Sequence, residues 1–141
     1  MTESTSNART TAILYACVAA GGILGSVARW VVSLLIPAVS AFPFATLFVN
    51  ITGSFIIGFY STLSGPDGRL FATTRQRQFV MTGFCGGYTT FSSFSLETVR
   101  LLRGGLSHTA LLYIAVSVVT WLIAVWLGHL LASRLNRLKG S

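Results

Sequence analysis

The stretch Thr89-Thr90-Phe91-Ser92-Ser93-Phe94-Ser95 sets two phenyl rings three residues apart among hydroxyl side chains. On a helix, residues i and i+3 share a face, so Phe91 and Phe94 stand together with donors beside them. An aromatic ring is electropositive at its edge. Ring edges and neutral donors such as Ser93 can replace water around a small anion. A full positive charge inside a pore would hold the ion, whereas conduction requires it to leave. Just upstream, Gly83-Phe84-Cys85-Gly86-Gly87-Tyr88 offers the opposite chemistry. Glycine leaves the backbone too free for a helix interior, and Ser and Thr compete for its hydrogen bonds, so a helix is expected to break here. Unwound carbonyls at Gly86, Gly87 and Thr89 suit a small cation such as Na⁺. One loop supplies too few oxygens for a closed shell, so a symmetric pair of chains is the natural completion.

A second polar series, Thr46, Asn50, Ser54 and Gly58, recurs every four residues and therefore forms one helical stripe. A carboxamide in hydrocarbon is costly without partners. Asn50 is either interhelical glue or pore lining, and the hydroxyls above and below it favour the pore. Tyr113, Ser117 and Thr120 share a face further on. Arg29 reads in two ways, as a side chain snorkelling to headgroups or as a fixed positive charge at the mouth of an anion path. Glu97 stands three residues before Arg100 and reads as an interfacial salt bridge in preference to a proton-coupling group. His108 and His129 read as interfacial, and the isolated Cys17 and Cys85 as small buried side chains. No nucleophile–base pair, phosphate loop or metal-ligand spacing is present, so the chain is not expected to be an enzyme.

The elements that must position these residues follow from composition. The chain has 141 residues, 52% hydrophobic and 9% charged, with a mean hydropathy of +0.72. Runs of about 20 apolar residues cross a bilayer, which makes this an all-α, multi-span membrane protein. Spans are expected over 12–36, 44–63, 79–102 and 109–132, the third broken, in a single domain covering 1–141. Polar residues 1–11 precede them, and turns are read at 37–43, at Gly65-Pro66-Asp67-Gly68 and at Gly104-Gly105. The net charge of +7 sits at the ends of apolar runs, which suits lipid headgroups and excludes a nucleic-acid face. Four spans put both termini on one side. Arg9, Arg69, Arg75, Arg77, Arg134, Arg137 and Lys139 fall there, against Arg100 and Arg103 opposite, which favours cytoplasmic termini. So small a chain has too little material to enclose a pore alone, a second argument for a dimer.

The order and spacing of these motifs resemble the Fluc (CrcB) fluoride channels over almost the whole chain. The resemblance is carried by the run from Gly83 to Ser95, by Thr46-Leu47-Phe48-Val49-Asn50 and by Gly25-Ser26-Val27-Ala28-Arg29-Trp30. It implies an antiparallel, dual-topology homodimer of four-helix subunits in the bacterial inner membrane, with two fluoride pores. Phe91 and Phe94 fall at the family's phenylalanine-box positions, and Asn50 and Thr46 at pore positions. Gly86 and Thr89 match residues whose carbonyls hold a structural Na⁺ at the dimer centre. Tyr113 and Ser117 resemble the start of a polar track on the last helix, from which this chain departs at Trp121. Arg29 matches a vestibule arginine. The implied activity is passive export of cytoplasmic fluoride, which lowers its intracellular concentration.

Two rival readings are a small proton-coupled multidrug transporter and an accessory membrane subunit. The first needs a carboxylate embedded in a span, preferably the first, and none lies there. Cation efflux abolished by Glu97→Gln would favour it. The second is excluded if the pure protein passes fluoride.

Overall fold

The apolar run that opens the chain folds as one long helix, α1 (Thr2–Leu35), in a computed structural model that describes residues 2–37, 40–66 and 68–137. Asp67 and Lys139, used above for a turn and for the charge balance, lie outside the described residues. The helix begins well before the apolar run, so part of the polar leader is helical too. It ends ahead of Pro37, where a proline ring disfavours the helical conformation of the residue before it. Pro43 stands at the N-cap of α2 (Phe44–Leu63), where its missing N–H costs nothing.

The next helix starts earlier than hydropathy suggests. Thr73 caps α3 (Thr74–Arg77), its side chain accepting from the Gln76 backbone while the Gln76 side chain accepts from the Thr73 N–H. This reciprocal pair, spelled Thr-x-x-Gln, satisfies two orphan donors at once. A π-helical stretch (Gln78–Cys85) and a last turn, α4 (Gly86–Tyr88), continue directly from it. Thr89 and Thr90 are both extended, and α5 (Phe91–Arg103) resumes beyond them. Gly105, at φ +75°, turns the chain into α6 (Ser107–Arg137).

The described residues contain helices and no strands. Three helices are long and apolar enough to cross a membrane: α1 over Asn7–Leu35, α2, and α6. At 31 residues α6 is about 46 Å long, beyond the hydrocarbon thickness. Apolar side chains such as Leu24, Leu34, Leu111 and Leu122 are exposed. Lipid, not water, is the solvent such a surface fits.

The helices pack as two close pairs, α1 on the π-helical stretch and α4, and α2 on α6, with α5 also laid against α6. The first pair is set by glycine: a Cβ on Gly21 would stand 2.3 Å from the Phe79 carbonyl oxygen, and one on Gly83 2.7 Å from that of Val18. Backbones meet where side chains are absent, the usual device where no hydrophobic effect drives helices together. Gly21→Leu is expected to force the pair apart at a cost of about 1–3 kcal/mol or more. The check is loss of the monodisperse peak of the detergent-solubilised protein on size exclusion.

Candidate functional site: a clamped helix break

Asn50 lies 40 residues before Thr90 and holds it by both ends of its amide. Its Nδ2 donates to the Thr90 carbonyl at 3.0 Å and its Oδ1 accepts from the Thr90 N–H at 2.8 Å. Had the helix continued, the Thr90 N–H would have served the Gly86 carbonyl. Asn50 therefore takes the bond that would have closed the turn. Thr90 in turn caps α5, its Oγ1 accepting from the Ser93 N–H at 3.1 Å. That removes the helical donor of the Thr89 carbonyl as well. The break is thus held open by a buried side chain from α2, and it fits closely against that helix. A Cβ on Gly53 would stand 2.2 Å from Thr89 Cγ2.

The two rings share one helix face but not one environment. Their centroids lie 5.5 Å apart with planes inclined 46°. Phe94 is 7% exposed and packs on Tyr113 and edge-on to Trp121, whereas Phe91 is 71% exposed. A core with Leu101 and Ala110 gathers around Phe94 and Tyr113.

Glu97 forms the second polar cluster, which sequence spacing did not reveal. Its carboxylate accepts from Thr46 Oγ1 at 2.7 Å and from Tyr113 Oη at 2.8 Å. It makes no ion pair with Arg100 among the described residues, so the expected salt bridge is replaced by two hydroxyls converging from α2 and α6. Charge-assisted hydrogen bonds of this kind are roughly twice as strong as neutral ones. The one available signal was compositional, a lone acid on an apolar face next to the Phe94 turn.

A family profile described as CrcB-like protein, Camphor Resistance (CrcB), matches residues 16–129 of this chain. The chain belongs to the CrcB family. Among its relatives, the fluoride-specific ion channel FluC 1 of Bradyrhizobium diazoefficiens is 63% identical over 130 residues, covering 92% of each chain. A protein of the same name from Rhodopseudomonas palustris is 62% identical over 135 residues, 94% of this chain and 96% of that one. The fluoride-specific ion channel FluC of Opitutus terrae is 52% identical, with 91% of this chain and 98% of its own length aligned. With three membrane-capable helices, this CrcB protein is a multi-pass protein of the bacterial membrane. The relatives named here are ion channels, which are not a class of enzyme.

In this CrcB chain two cavities flank the Asn50–Thr90 clamp, and Thr90 lines both. One, of about 370 Å³, is lined by Asn50, Ser54, Thr82, Thr89, Phe91 and Trp121, among others. The other, of about 360 Å³, brings Arg29 together with Thr46, Ser93 and Glu97. Tyr113 and Ser117 are wholly buried against these elements. Gly86 is exposed, and a Cβ there would meet nothing within 4 Å. The Gly86 and Thr89 carbonyls, both deprived of their helical donors, are neutral hard oxygens, and that chemistry fits a small cation.

Proposed function

We propose that the chain is a fluoride-selective channel that passively exports cytoplasmic fluoride. The observation that carries this reading is the double hydrogen bond from Asn50 to Thr90, which opens a helix beside Phe91 and Phe94. Its support comes from the relatives, which bear the name of fluoride-specific channels. The working unit is a homodimer of antiparallel subunits with dual topology, each a single domain of four spans. The third span in chain order is the broken one, assembled from α3 through α5. An exposed Phe91 and an open Gly86 backbone beside one cavity are what a second copy would cover.

Two pores run through the dimer, one past each clamp. Arg29 draws anions to a vestibule and hands them to a neutral polar path lined by Thr46, Ser93, Asn50, Tyr113 and Ser117, in which Glu97 holds the Thr46 and Tyr113 protons and Ser93, Asn50 and Ser117 supply the free donors. One amide N–H of Asn50 is left over after the clamp and faces this use. Phe91 and Phe94 contribute ring edges. The Gly86 and Thr89 carbonyls of the two subunits hold a structural Na⁺, which supplies a fixed positive charge that joins the crossed breaks. Arg9, Arg69, Arg75, Arg77, Arg134 and Arg137 bias the charge toward one end. Both orientations nevertheless insert, because the Na⁺ site needs two opposed chains.

No energised step is needed. An inside-negative potential drives an anion outward by about 2.3 kcal/mol per elementary charge per 100 mV. The decisive test is efflux from liposomes holding the pure protein. Rapid fluoride release without chloride release is expected, and vesicles as tight to fluoride as protein-free lipid would refute the reading.

A further inference from the structure

Along α6, Tyr113, Ser117 and Trp121 follow one another at four-residue spacing, so an indole stands where a third hydroxyl would extend the series. Ser117 Oγ and Trp121 Nε1 are both buried, and both lack a hydrogen-bond partner among the described residues. Their neighbours are not so placed. Thr120 turns its hydroxyl onto the Val116 carbonyl at 2.6 Å, the ordinary resort of a hydroxyl inside a helix, and Thr98 does the same with Phe94 at 2.8 Å. Ser117 makes no such bond. Thr46, Asn50, Ser64 and Thr90 are buried and each is bonded. Two orphan donors in successive turns therefore stand out against a background of satisfied groups. An unmade bond costs the full desolvation of the donor, and an arriving acceptor removes that cost.

The identity of the second donor narrows what can arrive. An indole N–H donates and never accepts, so it suits a ligand that offers only lone pairs. It is neutral, so it binds an anion without trapping it. The ring lines the cavity shared by Asn50, Thr90 and Phe91, and it packs edge-on to Phe94 with centroids 5.0 Å apart and planes at 72°. That contact fixes the indole beside the ring already assigned to the ion path.

We propose that Trp121 Nε1–H and Ser117 Oγ–H act as a donor pair for the permeating anion, the indole of Trp121 standing in for a hydroxyl. This rests on the reading of the chain as a fluoride channel. The ion comes within reach of both donors as it passes Phe94, and each N–H or O–H offered replaces one water of its hydration shell. Selectivity follows from size, because two donors one turn apart close around a small halide and leave a larger one poorly bonded.

Trp126, 58% exposed and lining neither cavity, serves as the control, whereas Trp30, 61% exposed, borders the cavity that holds Arg29. The experiment uses the dimer in detergent with ¹⁵N-labelled indoles, titrated with sodium fluoride against sodium chloride at constant Na⁺ and ionic strength. Trp121→Phe assigns the resonance it removes. Should that variant fail to assemble, Trp30→Phe and Trp126→Phe assign it by elimination. A saturable downfield shift of the Trp121 indole proton with fluoride and not with chloride is expected, while the Trp126 resonance stays in place. In liposomes Trp121→Phe is expected to slow fluoride efflux about tenfold, the weight of one hydrogen bond to an ion. Trp121→His, which keeps an N–H, should recover part of the loss. A Trp121 resonance indifferent to fluoride in protein that still conducts it would overturn the donor role and leave the channel reading standing. Wild-type protein that passes no fluoride would strike the channel reading itself.

Discussion

Asn50→Asp is expected to abolish fluoride efflux, by at least about a hundredfold, because the substitution undoes the break and the path together. The carboxylate can still accept from the Thr90 N–H, but it has no proton to offer the Thr90 carbonyl that Asn50 Nδ2 now meets at 3.0 Å. Two oxygens face each other in a buried site, and leaving one such group unsatisfied costs about 1–3 kcal/mol. A negative charge also enters a low-dielectric path meant for an anion. Asn50→Leu separates the two effects, since it removes both bonds without adding charge. Efflux from liposomes, normalised to the amount of folded dimer, reads the result. Wild-type flux in Asn50→Asp would remove the clamp from the mechanism.

Replacing either ring should be almost as damaging to transport while differing in what it does to the fold. Phe91→Ile changes a side chain that is 71% exposed on the single subunit, so the subunit itself loses little packing, and because isoleucine keeps an apolar side chain where a second copy would cover it, the dimer is expected to survive size exclusion. Its fluoride flux is nonetheless expected to fall by about a hundredfold or more, since an aliphatic chain has no electropositive edge to offer an anion. Phe94→Ile removes contacts to Tyr113 and Trp121 from the packed interior as well. Large-to-small changes of buried aromatics cost about 3–5 kcal/mol at the extreme of Phe→Ala, and Ile fills part of that space. A lower melting temperature should therefore accompany the flux loss in Phe94→Ile only. Normal flux in both variants would take the rings out of the mechanism.

The two expectations rest on links of different length in the chain. Phe91 and Phe94 are neighbours by helical spacing, and their adjacency was readable as soon as the sequence was. The identity of Thr90 as the partner of Asn50 was not, because 40 residues and two helices separate them. Glu97 makes the same point more sharply. Local spacing offered Arg100, yet the carboxylate is claimed by Thr46, which is 51 residues away, and by Tyr113. A hydroxyl pair delivered by packed helices can satisfy a carboxylate without the desolvation of a second full charge.

The sequence alone determined that helices would form and that several would be apolar and long enough for a bilayer; it expected four such spans and a break at the glycines, whereas three helices meet that measure and Gly83 to Gly87 are themselves helical. These are consequences of length, hydropathy and backbone freedom, all of which act over a few residues. It also announced the family, through the order of motifs spread over most of the chain. Only the tertiary structure decided where the break falls between Tyr88 and Phe91, since that depends on which side chain captures the Thr90 N–H. It alone decided that Phe94 is interior and Phe91 exposed, and that Ser117 and Trp121 keep unspent donors. The reason is that hydrogen-bond partners are settled by which helices touch, and contact between segments far apart in sequence leaves no local periodicity to read.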